Sequence, residues 1–185
     1  AILTLVSLVG FAVIYTMVLK RSTPLSIVLG GAAGAAPPIL GWTAVSGEVD
    51  SEALLLFGVI FSWTPPHFWA LAIRRRKEYA AAGVPMLPVT HGVEFTKLNI
   101  LLYTMMLLAV TLLPFAIQMS GLLYLSGALA LGIGFVWHAW RLYSTDGDAH
   151  SMKTFGYSIF YLSALFAFLL ADHYLREFIR AFFIA

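Results

Sequence analysis

Six stretches of apolar residues, each about as long as a bilayer crossing demands, are separated in this chain by short segments that hold nearly all of its charge. Hydrocarbon offers the backbone no water, so every N–H and C=O inside such a stretch needs a partner within the protein. Only helices and closed barrels meet that demand. These runs are longer and more continuous than barrel strands of about ten alternating residues. The predicted fold class is therefore all-α, a polytopic membrane helical bundle. Composition agrees: 61% of the 185 residues are hydrophobic and 11% charged, against about 25% charged in an ordinary soluble domain.

The spans are expected at 1–19, 26–45, 53–73, 98–119, 122–140 and 155–171, within one transmembrane helical domain over 1–185. Gly30 to Pro38, GGAAGAAPP, combines small residues that permit close helix contact with prolines that break the helical ladder. The tail at 172–185 sets Arg176, Glu177 and Arg180 among Phe178, Phe182 and Phe183, a spacing that predicts an interfacial amphipathic helix. With no cysteine, disulfides, iron–sulfur clusters and zinc–thiolate sites are excluded. A net charge of +2 arises from residues flanking the spans and carries no nucleic-acid footprint.

Lys and Arg are distributed unevenly. Lys20, Arg21, Arg74 to Lys77, Lys97, Arg141 and Lys153 fall on one side, and Arg176 and Arg180 on the other. Because cytoplasmic loops carry the excess, the first side is expected to face the cytoplasm of a bacterial cell, or the matrix of a mitochondrion.

The densest charge lies in 62–92, SWTPPHFWALAIRRRKEYAAAGVPMLPVTHG, where an apolar run passes a proline pair and His67 and leaves through Arg74, Arg75, Arg76, Lys77, Glu78 and Tyr79. Pro65 and Pro66 fall near mid-membrane and are expected to break the helix. If the chain is helical from Pro66 to Lys77, His67, Arg74 and Glu78 share one face, with His67 about 10 Å deeper than Arg74. Arginines at such a mouth suit phosphate or carboxylate, and a neighbouring carboxylate suits Mg²⁺ held jointly with phosphate. Other readings stand beside this one. Four basic residues after a span are a topology signal, His67 fits a buried histidine bonded to a carbonyl freed by the prolines, and Glu78 fits a surface ion pair. Trp63 and Trp69 fit packing, and His138, His150 and His173 fit solvated span ends.

TPPHFWALAIRRRKEYAAAGVPMLPVTHG, at 64–92, resembles the signature of the UbiA-type intramembrane prenyltransferases, in particular their haem-farnesylating branch. YTMVLKRSTPLSIVLGGAAGAAPPILGWTAVSG, at 15–47, is similar to the family's preceding segment, and KTFGYSIFYLSALFAFLLADHYL, at 153–175, more loosely so. Family members have about nine spans, so the resemblance implies that these six are the fourth to the ninth of a longer prenyltransferase. It also implies transfer of a farnesyl group from farnesyl diphosphate to a vinyl group of haem B, giving haem O for haem-copper oxidases, with Mg²⁺ as cofactor. Implied partners are the lipid bilayer of the bacterial inner membrane and haem A synthase or terminal-oxidase assembly proteins. The family's first aspartate-rich loop would lie upstream of Ala1, so this chain alone is expected to be inactive. Where the family often has Asp-Asp-Tyr, this chain has Lys77, Glu78 and Tyr79.

On that reading His67, Arg74, Lys77, Glu78 and Tyr79 are candidate catalytic residues, with Glu78 the metal ligand. Lys20, Arg21, Trp63, Phe68 and Trp69 are candidate substrate contacts, the aromatic faces stabilising an allylic cation. Two rivals remain at this level: a related prenyltransferase with a quinone-precursor or chlorophyllide acceptor, and a non-catalytic transporter or haem-handling subunit.

Overall fold

A computed structural model of the chain describes residues 26–184 and, upstream, Thr4, Leu5 and Val9. The expected first span, Lys20, Arg21 and Pro24 lie outside the described residues. The helices are α1 (Ser26–Gly34), α2 (Pro37–Ser46), α3 (Ser51–Arg74), α4 (Arg76–Ala81), α5 (Leu87–Thr90), α6 (Val93–Ala116), α7 (Leu122–Tyr143) and α8 (Ser151–Ile184). Among the described residues five segments are long and apolar enough to cross a membrane: Ile27–Ser46, Ser51–Arg74, Val93–Ala116, Leu122–Tyr143 and Ser151–Phe182. The chain is a multi-pass, all-α membrane bundle.

The predicted break in the second span is present. Pro37 and Pro38 lack the N–H that would continue the ladder, so α1 stops at Gly34 and α2 restarts with Pro37 in its first turn. Gly31 brings α1 close to α3, since a Cβ there would lie 3.1 Å from Thr64 Cγ2. The prolines of α3 behave differently. The helix runs unbroken through Pro65 and Pro66, correcting the expected break. Both prolines are buried, and neighbouring helices enclose this stretch of α3. In hydrocarbon that support tolerates a missing bond that would end an exposed helix.

Two other boundaries differ from expectation. Helix α6 begins at Val93 and ends at Ala116, earlier than 98–119, because it takes in two charges that hydropathy excludes. Lys97, fully buried, donates from Nζ to Glu94 Oε1 at 2.8 Å and to the Thr145 carbonyl at 2.6 Å. The tail is no separate interfacial helix: α8 continues to Ile184, with no glycine or proline after Gly156 to stop it. Asp172 and Arg176, one turn apart, bind it to the bundle. Asp172 accepts from the N–H of Gly121 at 2.6 Å and of Tyr124 at 3.2 Å, placing a carboxylate at the start of α7. Arg176 donates to the Met119 carbonyl at 3.1 Å.

The interior forms two clusters. Val59, Leu107, Tyr124, Leu131, Phe135 and Tyr161 centre on one, and Trp69, Ile73, Met86, Leu87, Ile100 and Leu142 on the other, beneath the basic end. Helices α7 and α8 meet through glycine, since a Cβ on Gly127 would stand 2.5 Å from the Phe168 ring. Gly127→Ala should therefore destabilise the bundle by about 1–3 kcal/mol through overpacking, read as a lower unfolding midpoint in detergent micelles. An unchanged midpoint would mean that α7 and α8 do not meet there.

Candidate functional site

The last turns of α3 spread their side chains over several directions, because successive helical residues point about 100° apart. Trp63 and His67, four residues apart, share a face: their rings stack with centroids 4.2 Å apart. Phe155 of α8 stacks on His67 at 4.6 Å, and Phe68 meets it edge-on at 5.1 Å. His67 is buried, and its Nδ1 lies 2.7 Å from Ser158 Oγ. The Ser158 hydroxyl spends its one proton on the Phe155 carbonyl at 2.6 Å, so His67 Nδ1 is the donor and its Nε2 keeps a lone pair. Trp63 Nε1 donates to the Ser158 carbonyl at 2.8 Å. The partner of His67 is thus a hydroxyl on α8 and not a carbonyl freed by the prolines.

Phe68, at the edge of the His67 ring, and Trp69 differ in burial. Phe68 is exposed, whereas Trp69 is sealed in the core with its ring edge-on to Tyr103. The two rings thus have different surroundings, one open and one enclosed.

At Arg75, with φ −96° and ψ 18°, the helical ladder is interrupted, and α4 starts at Arg76. The shared face expected for His67, Arg74 and Glu78 therefore ends at Arg74. Arg76 closes the end of α3 by donating to the Ile73 carbonyl at 3.0 Å. The same Nη1 reaches Asp148 Oδ2 at 3.1 Å, and Arg74 Nη1 approaches that oxygen at 3.5 Å. The Arg76 hydrogen bond holds the Asp148 carboxyl below the usual carboxylate range, and the two guanidinium charges act in the same direction. Asp148 sits in the turn between α7 and α8, which Lys97 grips at Thr145 and which Ser151 closes by donating to the Asp148 carbonyl.

The AGVP sequence after α4 has a conformational cause. Gly83, at φ 64°, follows the C-cap Ala82, Gly83 N–H bonds the Ala80 carbonyl, and Val84 N–H bonds the Tyr79 carbonyl at 3.0 Å. This is a Schellman closure, in which a left-handed glycine reverses the chain. Tyr79 and Val84 then pack on the core that Met86 and Leu87 enter. Tyr79 is a packing residue here, while Lys77 and Glu78 stay exposed with no polar partner among the described residues.

The structure brings Arg74 together with Arg76 and Asp148, leaves Lys77 and Glu78 beside them in the chain, and sets His67 apart with Trp63 and Ser158. Among the described residues no three His, Cys, Asp or Glu side chains gather as a metal cage. Glu78 offers one free carboxylate, which suits a cation such as Mg²⁺ that takes one or two carboxylates and fills its shell with phosphate oxygens and water. Asp148 and Ser158 escaped the sequence reading, because their partners lie 72 and 91 residues away. Nor are His138 and His150 simply solvated: Nδ1 of one lies 3.3 Å from Nε2 of the other, and burial with the charges of Lys153 and Arg141 pushes the His150 pKa down. An apolar cleft of about 480 Å³ opens at the opposite end of α3 from Arg74 and Arg76, among Trp42, Leu56, Met119, Phe166 and His173.

The family model described as "UbiA prenyltransferase family" matches residues 1–169. The chain is 67% identical over 176 residues to a protein of Thioalkalivibrio sulfidiphilus named protoheme IX farnesyltransferase, covering 95% of this chain and 58% of that protein. Proteins of the same name from Aromatoleum aromaticum and Legionella pneumophila are 65% and 63% identical, each over 94% of this chain and 57% and 59% of their own lengths. The chain thus spans under two thirds of the relatives it matches. No solved structure matches.

Removing the hydroxyl that fixes His67, by Ser158→Ala, should lower unfolding stability by about 0.5–2 kcal/mol, the range for hydrogen bonds between membrane helices. Chemical denaturation in micelles measures it, and an unaltered midpoint would discard the His67–Ser158 bond.

Proposed function

Because this chain belongs to the UbiA prenyltransferase family, we propose that the intact enzyme containing it transfers the farnesyl group of farnesyl diphosphate to a vinyl group of haem B, making haem O. The observation that carries this reading is the 67% identity to a relative whose name states a farnesyltransferase acting on protoheme IX. The basic corner at the end of α3 supplies the chemistry such a reaction needs. The carbon–oxygen bond of the allylic diphosphate breaks, pyrophosphate leaves with the electron pair, the vinyl carbon attacks the allylic cation, and water adds to the resulting haem cation with loss of a proton. Negative charge therefore grows on the diphosphate as the barrier is crossed, and cations fixed beside it favour that state over the ground state.

Arg74, with its side chain 60% exposed, is a guanidinium within reach of a phosphate oxygen. Lys77, exposed and without a polar partner among the described residues, adds a second cation, and Lys20 and Arg21 are assigned to the same anion. Glu78 is assigned to the divalent cation, Mg²⁺, which when bound neutralises charge on the departing diphosphate. Tyr79 supports Glu78 by fixing the turn that follows it. Phe68 and Trp63, the first exposed and the second half-buried, offer ring faces to the allylic cation, a role that the sealed Trp69 leaves to them. His67, with its Nδ1 proton committed to Ser158, offers Nε2 as acceptor for the proton that water gives up. The farnesyl chain lies between helices, away from bulk water that would quench the cation.

The assigned setting is the bacterial inner membrane with the basic end toward the cytoplasm, and the product passes to haem A synthase or to terminal-oxidase assembly. Arg74→Ala in the intact enzyme should lower haem O formation about 10²-fold or more, and Glu78→Gln should weaken its dependence on Mg²⁺. Mass spectrometry of haems extracted from expressing cells reads the first, and a metal titration the second. Near-normal haem O with Arg74→Ala would remove that residue from the site.

A further inference from the structure

The diphosphate site proposed above explains why cations gather at the end of α3, but not why two of them close on a carboxylate from a different loop. Arg74 and Arg76 both direct Nη1 at the same atom, Asp148 Oδ2, at 3.5 and 3.1 Å. The carboxylate is held in place from behind. Ser151 donates from its backbone N–H, at 3.1 Å, and from its hydroxyl, at 2.7 Å, to the Asp148 carbonyl. Three residues earlier the Thr145 carbonyl is tied to the buried Lys97. The two guanidinium groups are held unequally. Arg76 is also bonded to the Ile73 carbonyl, whereas Arg74 has Asp148 as its polar partner among the described residues and keeps its side chain 60% exposed.

A carboxylate so placed meets the same donors that a phosphate oxygen would meet, each guanidinium presenting one Nη1 to a single oxygen. We propose that Asp148 is the built-in competitor of the diphosphate: it holds Arg74 and Arg76 while the site is free, yields Arg74 to the incoming substrate, and takes it back as pyrophosphate leaves. The inference rests on the diphosphate reading of this corner and adds a positioning residue that acts through the arginines. Its physical basis is the charge imbalance at 74–78, where four cations stand in sequence against the single carboxylate of Glu78. A cluster of that sign binds the product pyrophosphate as readily as the substrate, and product release limits many enzymes. An anion fixed by the fold offsets this without competing for the prenyl chain, which pyrophosphate lacks. Discrimination between substrate and product then follows, because apolar burial favours only the substrate.

The test uses the intact enzyme in micelles or liposomes, with pyrophosphate as the probe. Asp148→Asn should lower the inhibition constant for pyrophosphate about three- to fivefold, the upper part of the range for partly exposed ion pairs, and should lower kcat where release limits turnover. Asp148→Glu should stay within about twofold of the parent. If the Asn variant does not accumulate as folded protein, Asp148→Ser removes the same charge. An unchanged or raised inhibition constant in a folded, charge-removed variant would overturn the proposal, since a carboxylate that merely braces the loop predicts no tighter hold on pyrophosphate. The parent enzyme separates the two readings. If pyrophosphate does not inhibit it, the diphosphate reading itself falls; if it does and the variant matches it, only the role of Asp148 is lost.

Discussion

The absence of water from hydrocarbon is the constraint from which this structure follows. Backbone groups are satisfied within helices, and several side-chain hydroxyls turn back on carbonyls of their own or neighbouring spans. Thr64 bonds Ile60, Thr104 bonds Ile100, Ser158 bonds Phe155 and Tyr124 reaches Thr111. Charge is driven to the two ends of the bundle, where it fastens turns that apolar packing cannot hold. At one end Asp172 and Arg176 grip the turn between α6 and α7; at the other Lys97 and Asp148 fix the turn between α7 and α8.

That division decided what could be read from the sequence. Apolar runs depend on composition over about 20 residues, so the second to sixth spans were legible without any knowledge of packing. Their edges were less so. Lys97 reads as the end of a span because lysine belongs in water, yet here it lies inside one, with Glu94 a turn away and a loop carbonyl 48 residues along the chain as partners. Pro65 and Pro66 read as a break because the rule for proline describes an isolated helix, and α3 is enclosed by neighbours. The docking of α8 at Asp172 on two N–H groups at the start of α7 is announced by no local pattern.

At the candidate site the same distinction holds. Arg74, Lys77 and Glu78 stood out because charges crowded at the end of an apolar run are visible in one dimension. Asp148 did not, since nothing in STDGDAH marks it as the neighbour of residues 72 positions earlier. The direction of a side chain also lies beyond a residue list. Trp63, Phe68 and Trp69 look like one aromatic group when written out, but the helix sets Trp63 and Phe68 against His67 and seals Trp69 in the core. Gly83 shows the reverse case, where a motif noticed only as a likeness has a stereochemical cause in the left-handed turn it permits.

The reversal at Gly83 and the seating of Met86 and Leu87 in the core bear on how the basic segment meets an anion. Residues 75–85 form a short arc clamped at both feet, by a membrane-spanning helix on one side and by two apolar side chains driven into the bundle on the other. Little conformational freedom remains to be surrendered on capture, so the entropic toll that a floppy basic arm would incur is largely absent. Ionic strength, rather than loop ordering, then becomes the variable to which the grip of this corner answers.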